Sequence, residues 1–210
     1  TINLDNNANM FFGVERLSSI FFKGQLDDIA IYNRALTEQE ITALYTSTPV
    51  AQNIPSYVPT NGLVGYWPFN GNANDESGNG NNGTVYGATL ITNRFGNIDK
   101  AFSFDGNDYI DCGNSVILDL FNVPTKTFSF WMKPSIGGAI ISRYSQGVSS
   151  NTAYGILGSA TTIWTSGNGT NAFSINTQES YDWQHYVVEF NSSVGNVRIT
   201  KNGSFLAQGN

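Results

Sequence analysis

The chain has 210 residues, 40% hydrophobic, 13% aromatic and only 12% charged, with 22 glycines, a composition suited to a strand-rich globular protein with one sizeable core or two small ones. Ten Lys and Arg against 16 Asp and Glu leave a net charge of −6 with no basic cluster, which argues against nucleic acid and anionic membrane surfaces as partners. No apolar run approaches a helical membrane span and the first residues lack the regions of a signal peptide, while one cysteine, Cys112, and one histidine, His185, exclude an internal disulfide and a Cys/His zinc cluster.

The first strong signal is "GQLDDIAIYNRALTEQEITALY", residues 24–45, a strand-like run followed by a short helix. Thr37 is placed to cap that helix, with Glu40 three residues on reaching back to the cap backbone and Leu36 and Ile41 at the staple positions. The helix is predicted to last about two turns and to end near Tyr45. Residues 46–60 carry Pro49, Pro55 and Pro59 among Ser, Thr, Asn and Gln, which predicts a semi-extended linker, and a new strand is expected around Leu63. The loop "NGNANDESGNGNNG" comes next, then "AFSFDGNDYID", where Asp105 and Asp108 flank a turn. In "TFSFWMKP" the alternation sets Phe128, Phe130 and Met132 on one face and Trp131 on the other. "WQHYVVEFN" carries apolar bulk on both faces, as in a strand packed between layers. "NVRITKNGSFLAQ" predicts a hairpin, with Asn202 and Gly203 supplying two residues of positive φ. The fold class read from this pattern is all-β, with antiparallel strands in a sandwich or barrel.

The stretch "GLVGYWPFNGNANDESGNGNNGTVYGATLITNRFGNIDKAFSFDGNDYI", residues 62–110, resembles the opening of concanavalin A-like, laminin-G-type domains. The matching features are Tyr66-Trp67-Pro68-Phe69, "DESGNGNNGT" and "AFSFDGNDYI". "FSFWMKP" and "WQHYVVEF" are similar to inner strands found later in that family, and "FFKGQLDDIAIYNRALTEQEITALY" is similar to its last strand and closing helix. The resemblance implies a jelly-roll sandwich of two antiparallel sheets with one short helix, used mainly for binding glycans or proteins and often carrying a structural calcium. The order is inverted, because the family's ending precedes its beginning. Residues 1–45 correspond to the C-terminal strands and closing helix, 46–60 to a linker, and 61–210 to the N-terminal and central strands. Either residues 1–45 are the tail of one repeat and 61–210 the head of the next in a tandem array, or both fold together as a circular permutant; burial favours one sandwich, with "QLDDIAIY" beside the strand around Tyr66. Exchange of the segment between two chains, giving a segment-exchanged dimer, would satisfy the same contacts. The resemblance also implies an extracellular or cell-surface setting, with any export signal outside this chain.

Calcium needs six to eight hard oxygens, and the Asn/Asp/Ser-rich loop offers Asp75 as the best ligand, with Asp28 or Asp27 as possible partners. The competing reading is a set of Asx turns in which these side chains bind their own backbone. Asp27 and Asp28 are adjacent and, in a regular strand, point to opposite faces. Trp67, Trp131 and Trp183 lie in alternating strands and are expected in the core. Trp164, in "ATTIWTSGNGTN", and Tyr144 and Tyr154, flanking "SQGVSSNTA", sit in polar surroundings. These three are the candidate ligand-binding aromatics, although a structural role for each is the competing reading. The six Glu residues are scattered and show no closely spaced Glu-x-Asp-x-Glu strand, so a glycosidase has little support. The expectation is a non-catalytic carbohydrate-binding or adhesion module whose partner is a glycan or surface protein, with a ligand-free structural spacer as the alternative.

Overall fold

The computed structural model describes residues 8–15, 20–47, 54–120, 123–143, 154–158, 162–167, 170–176 and 180–209. In chain order the strands begin with β1 (Met10–Phe12), β2 (Val14–Glu15), β3 (Ile20–Phe21) and β4 (Lys23–Tyr32), and helix α1 (Glu38–Thr46) comes after them. Then come β5 (Leu63–Trp67), β6 (Thr84–Tyr86), β7 (Thr89–Ile91), β8 (Ala101–Asp105) and β9 (Tyr109–Asp111). After a short 3-10 turn at Val116–Leu118 the chain forms β10 (Thr125–Ile136), β11 (Gly138–Arg143), β12 (Tyr154–Gly158), β13 (Thr162–Gly167) and β14 (Thr170–Asn176). It closes with β15 (Gln184–Asn191), β16 (Asn196–Lys201) and β17 (Ser204–Gly209).

The strands form two sheets, as expected of an all-β sandwich. The first runs β14-β13-β12-β11-β1-β9-β6, with β3 also beside β11 and β2 pairing β3. The second runs β17-β16-β15-β10-β4-β8-β7, with β5 also pairing β4. Among the described pairs all are antiparallel except β3 with β11. The hairpin between β16 and β17 turns on Asn202 and Gly203, both at positive φ.

The N-terminal segment is woven into both sheets. Strand β1 lies between β11 and β9, while β4 pairs β10 along one edge and β8 and then β5 along the other. Ala30 stands opposite Tyr66 and Ile29 opposite Trp67. A strand hydrogen-bonded on both sides leaves few ladder groups for water, so β4 belongs to the interior of its sheet.

The main core fills the space between the sheets. Phe12, Leu26, Ile29, Trp67, Phe104, Phe128, Phe130, Met132 and Ile140 are among its buried members. Each such side chain stabilises the fold by about 1.5–3 kcal/mol when fully buried. A second, smaller core lies on the outer face of the second sheet: Ala30, Tyr32, Tyr66 and Val187 pack against Leu36, Ile41 and Leu44 and against Val58. Helix α1 begins as its sequence predicts. The Thr37 side chain accepts from the Glu40 backbone N–H and the Glu40 carboxylate accepts from the Thr37 N–H, a complete capping box. Within the stretch read as a semi-extended linker, Val58 is buried and Ile54 and Tyr57 pack on the same cluster. Apolar residues spaced among the prolines give it a face to bury.

Candidate functional site

The outer face of the second sheet divides into a closed part and an open part. The closed part is built around Arg94, in the turn between β7 and β8. Asn93 shapes that turn, its side-chain oxygen accepting from the N–H groups of Phe95 and Asn97. The guanidinium donates to Asp27 at 2.5 Å and to Asp28 at 2.7 Å, all three side chains being almost or wholly buried. It lies over the ring of Trp131 at 4.2 Å and that of Phe95 at 4.4 Å, so cation–π attraction adds to the ion pairs.

Adjacent strand residues should not converge on one cation, and a β-bulge explains why these do. Ala30 is opposite Ser129 and Asp27 is opposite Trp131, so Asp28 and Ile29 together oppose the single residue Phe130. Asp28 takes φ 47°, a left-handed conformation that Asp tolerates better than most side chains. The bulge sends Ile29 into the core while turning Asp28 to the same side as Asp27. The expectation of opposite faces is thereby corrected.

Around this ion cluster lie Tyr66, whose hydroxyl donates to Asp28 at 3.3 Å, and His185, whose Nε2 is 2.8 Å from the Ser129 hydroxyl. Tyr45 of α1 stacks on both Trp131 and His185. Burial, then repulsion from Asp28, pushes the Asp27 carboxyl well above its ordinary range, with Arg94 pulling the other way. Burial and the Arg94 charge hold the His185 imidazole down to about 3, hence neutral at physiological pH. Tyr57 is pushed up to about 12 by burial and the Asp28 charge. The cavity left among Asp28, Tyr57, Tyr66, Ser129, Trp131 and His185 measures about 10 Å³, room for roughly one water molecule and far too small for a sugar.

Asp75 is elsewhere. Its carboxylate accepts from the N–H groups of Tyr66, Ser77 and Asn81 and from the Asn81 side-chain amide, at 2.9–3.0 Å. Four donors match the roughly four acceptor positions of a carboxylate. The loop is therefore built of the Asx-type bonds that its composition allows, and it anchors β5 through Asn79 and Asn81, which donate to Val64. The structure does not bring Asp75 together with Asp27 and Asp28, each of which gives one carboxylate oxygen to Arg94. Among the described residues no group of three or more His, Cys, Asp or Glu is arranged to hold a metal ion.

The open part lies along the same face, past Asp27. A groove of about 380 Å³ is lined by Lys23, Gln25, Ser103, Asp105, Lys133, Ser135 and Tyr181, among others. Its floor is two rungs of the sheet. Lys133, Gln25 and Ser103 align across β10, β4 and β8, and the next rung aligns Lys23 with Asp105. Tyr181, just before β15, is 56% exposed.

Of the aromatics singled out in the sequence, Tyr144 lies outside the described residues. Tyr154 and Trp164 belong to β12 and β13 of the other sheet, where Tyr154 is opposite Arg143 and Trp164 is opposite Leu157 and Ser174. Their side chains also lie outside the described residues. Trp67 is in the core as expected, and Trp131 is buried on the outer face under α1, whereas Trp183, just before β15, is only half-buried. The groove residues escape a reading of the sequence, since they come from strands far apart in the chain. The remaining signal is the polar alternation of Lys23 and Gln25 in "KGQLDD".

Compared with models of protein families, with curated proteins and with solved structures, the chain matches none. Its class rests on its own geometry: an all-β sandwich with one face partly sealed and partly open.

Proposed function

We propose that the protein is a non-catalytic carbohydrate-binding or adhesion module of the concanavalin A-like, laminin-G type, and that the open groove on the second sheet receives the sugar. The observation that carries this reading is an open groove of about 380 Å³ whose floor presents Gln25 and Ser103 beside the exposed ring of Tyr181. Amide and hydroxyl groups on rigid strands can exchange hydrogen bonds with sugar hydroxyls, and an aromatic face can stack on the apolar face of a pyranose ring. The order of the segments, with the family's closing strand and helix ahead of its opening strand, supports a permuted arrangement. The acidic composition and the family resemblance support an extracellular or surface setting.

A glycan-array screen tests the reading. The expected result is retention of a defined oligosaccharide class, with Tyr181→Ala costing about 1 kcal/mol or more in affinity and leaving the melting temperature nearly unchanged. An array without signal would favour the second reading, a structural spacer. That alternative draws on the sealed half of the face, where α1 and the linker close over Trp131 and His185.

A further inference from the structure

The charge inventory deepens that reading, on which it rests. Among the described residues every arginine is in an ion pair: Arg34 with Glu40, Arg94 with Asp27 and Asp28, Arg143 with Asp119, and Arg198 with Glu38 and Glu189. Lys126 donates to the Leu120 carbonyl, and the Lys201 ammonium lies over the Tyr186 ring. Lys23, Lys100 and Lys133 are left without an ion pair or side-chain hydrogen bond among the described residues. Two of these three, Lys23 and Lys133, line the groove. In a chain of net charge −6, such placement makes a local positive site in an otherwise negative field.

The one opposing charge in the groove is Asp105, opposite Lys23 in the register. Part of its capacity is spent locally, since its Oδ1 accepts from the Asn107 N–H at 3.1 Å. Lys133 stands on the rung of Gln25 and Ser103 and Lys23 on the next, so a ligand bonded to those neutral groups brings its substituents toward both ammonium groups. We infer that the groove selects an anionic saccharide, a sugar chain carrying carboxylate or sulfate groups, over its neutral counterpart. An ammonium recognises such a group as a point charge, through a charge-assisted hydrogen bond stronger than a neutral one.

The test is titration calorimetry of the full chain with trigalacturonate, with its fully methyl-esterified form, which keeps the sugar and removes the charge, and with a sulfated oligosaccharide of similar length. The expected result is binding of at least one anionic probe about tenfold or more tighter than the ester, weakening as salt rises. Lys23→Gln and Lys133→Gln should each remove most of that preference. Both substitutions are at the surface, and unchanged melting curves would show that the variants fold. Which anionic probe binds identifies the group recognised. Equal binding of acid and ester, or a charge preference that survives both lysine substitutions, would overturn the inference. If a neutral glycan then binds and is lost in Tyr181→Ala, the carbohydrate reading stands without the charge selection. Absence of binding by every sugar on the array and by all three probes would overturn both.

Discussion

Arg94 holds two carboxylates that lie within the fold, and at this scale its charge matters more than its size. Removing one partner of a buried ion pair strands the other charge and costs about 3–5 kcal/mol. Arg94→Met is therefore expected to destabilise the protein by about that much in urea denaturation. Adding Asp27→Asn and Asp28→Asn to it should recover a large part of the loss, since the stranded charges are then gone. A loss under about 1 kcal/mol for the single variant would show that the cluster is wet and weakly coupled. His185 gives a pH signature. Its native value is near 3, against about 6.5 in an unfolded chain. Between those values the unfolded state binds a proton that the native state does not, so stability is fully present above about pH 6.5 and is lost as pH falls toward about 3. His185→Gln should flatten this limb by up to about 1.4 kcal/mol per pH unit. Asp27, with its raised native value, has the opposite sign: its contribution falls as pH rises through about 3.8 toward that value. Because it is common to both proteins, the comparison isolates the histidine. Parallel stability curves for the two proteins between pH 3 and pH 7 would contradict the assignment.

At the scale of elements, the linker and α1 act together as a cover over the second sheet. Val58 is 3% exposed and packs with Leu44, Ile41 and Tyr66, so Val58→Asp would bury a charge with no designed partner. A loss of about 3 kcal/mol or more is expected by chemical denaturation, whereas a solvated spacer would tolerate the change within about 0.5 kcal/mol. The elements that could be read from the sequence are those whose chemistry is local. The Thr37–Glu40 capping box, the Asn202-Gly203 turn and the alternation of "TFSFWMKP" each place their signal within a few residues. The elements that could not be read depend on contacts across the chain. The bulge at Asp28 is marked only by a polar pair in an apolar run, and its meaning comes from Arg94, more than sixty residues away. The packing of the linker was hidden because prolines dominate its composition, while Ile54, Tyr57 and Val58 supply its buried face. The groove assembles side chains from β4, β8, β10 and the turn before β15, and no window of sequence contains them together. Asx turns and calcium loops draw on the same residues, so the composition of the oxygen-rich loop could not show the bonds of Asp75, whose carboxylate accepts from four N–H donors in this fold.

On the scale of the whole molecule, strand β4 ties the parts together. It carries the bulge with the two carboxylates, provides Lys23 and Gln25 to the groove, and places Ile29 and Ile31 in or against the buried layers. It lies before the helix and linker, yet it pairs with β10 on one side and with β8 and β5 on the other. If residues 8–47 are integral to one folded unit with the strands from β5 onward, β4 can exchange its amide hydrogens only when that unit unfolds. The direct measurement is native-state hydrogen exchange, at a concentration where sedimentation shows a monomer. Amides of Leu26, Ala30 and Ile31 are predicted to exchange with the same free energy as the central amides of β15, near the global unfolding value. Rapid exchange of β4 while β15 stays protected, or protection of β4 that appears only in a dimer, would contradict a single folded unit.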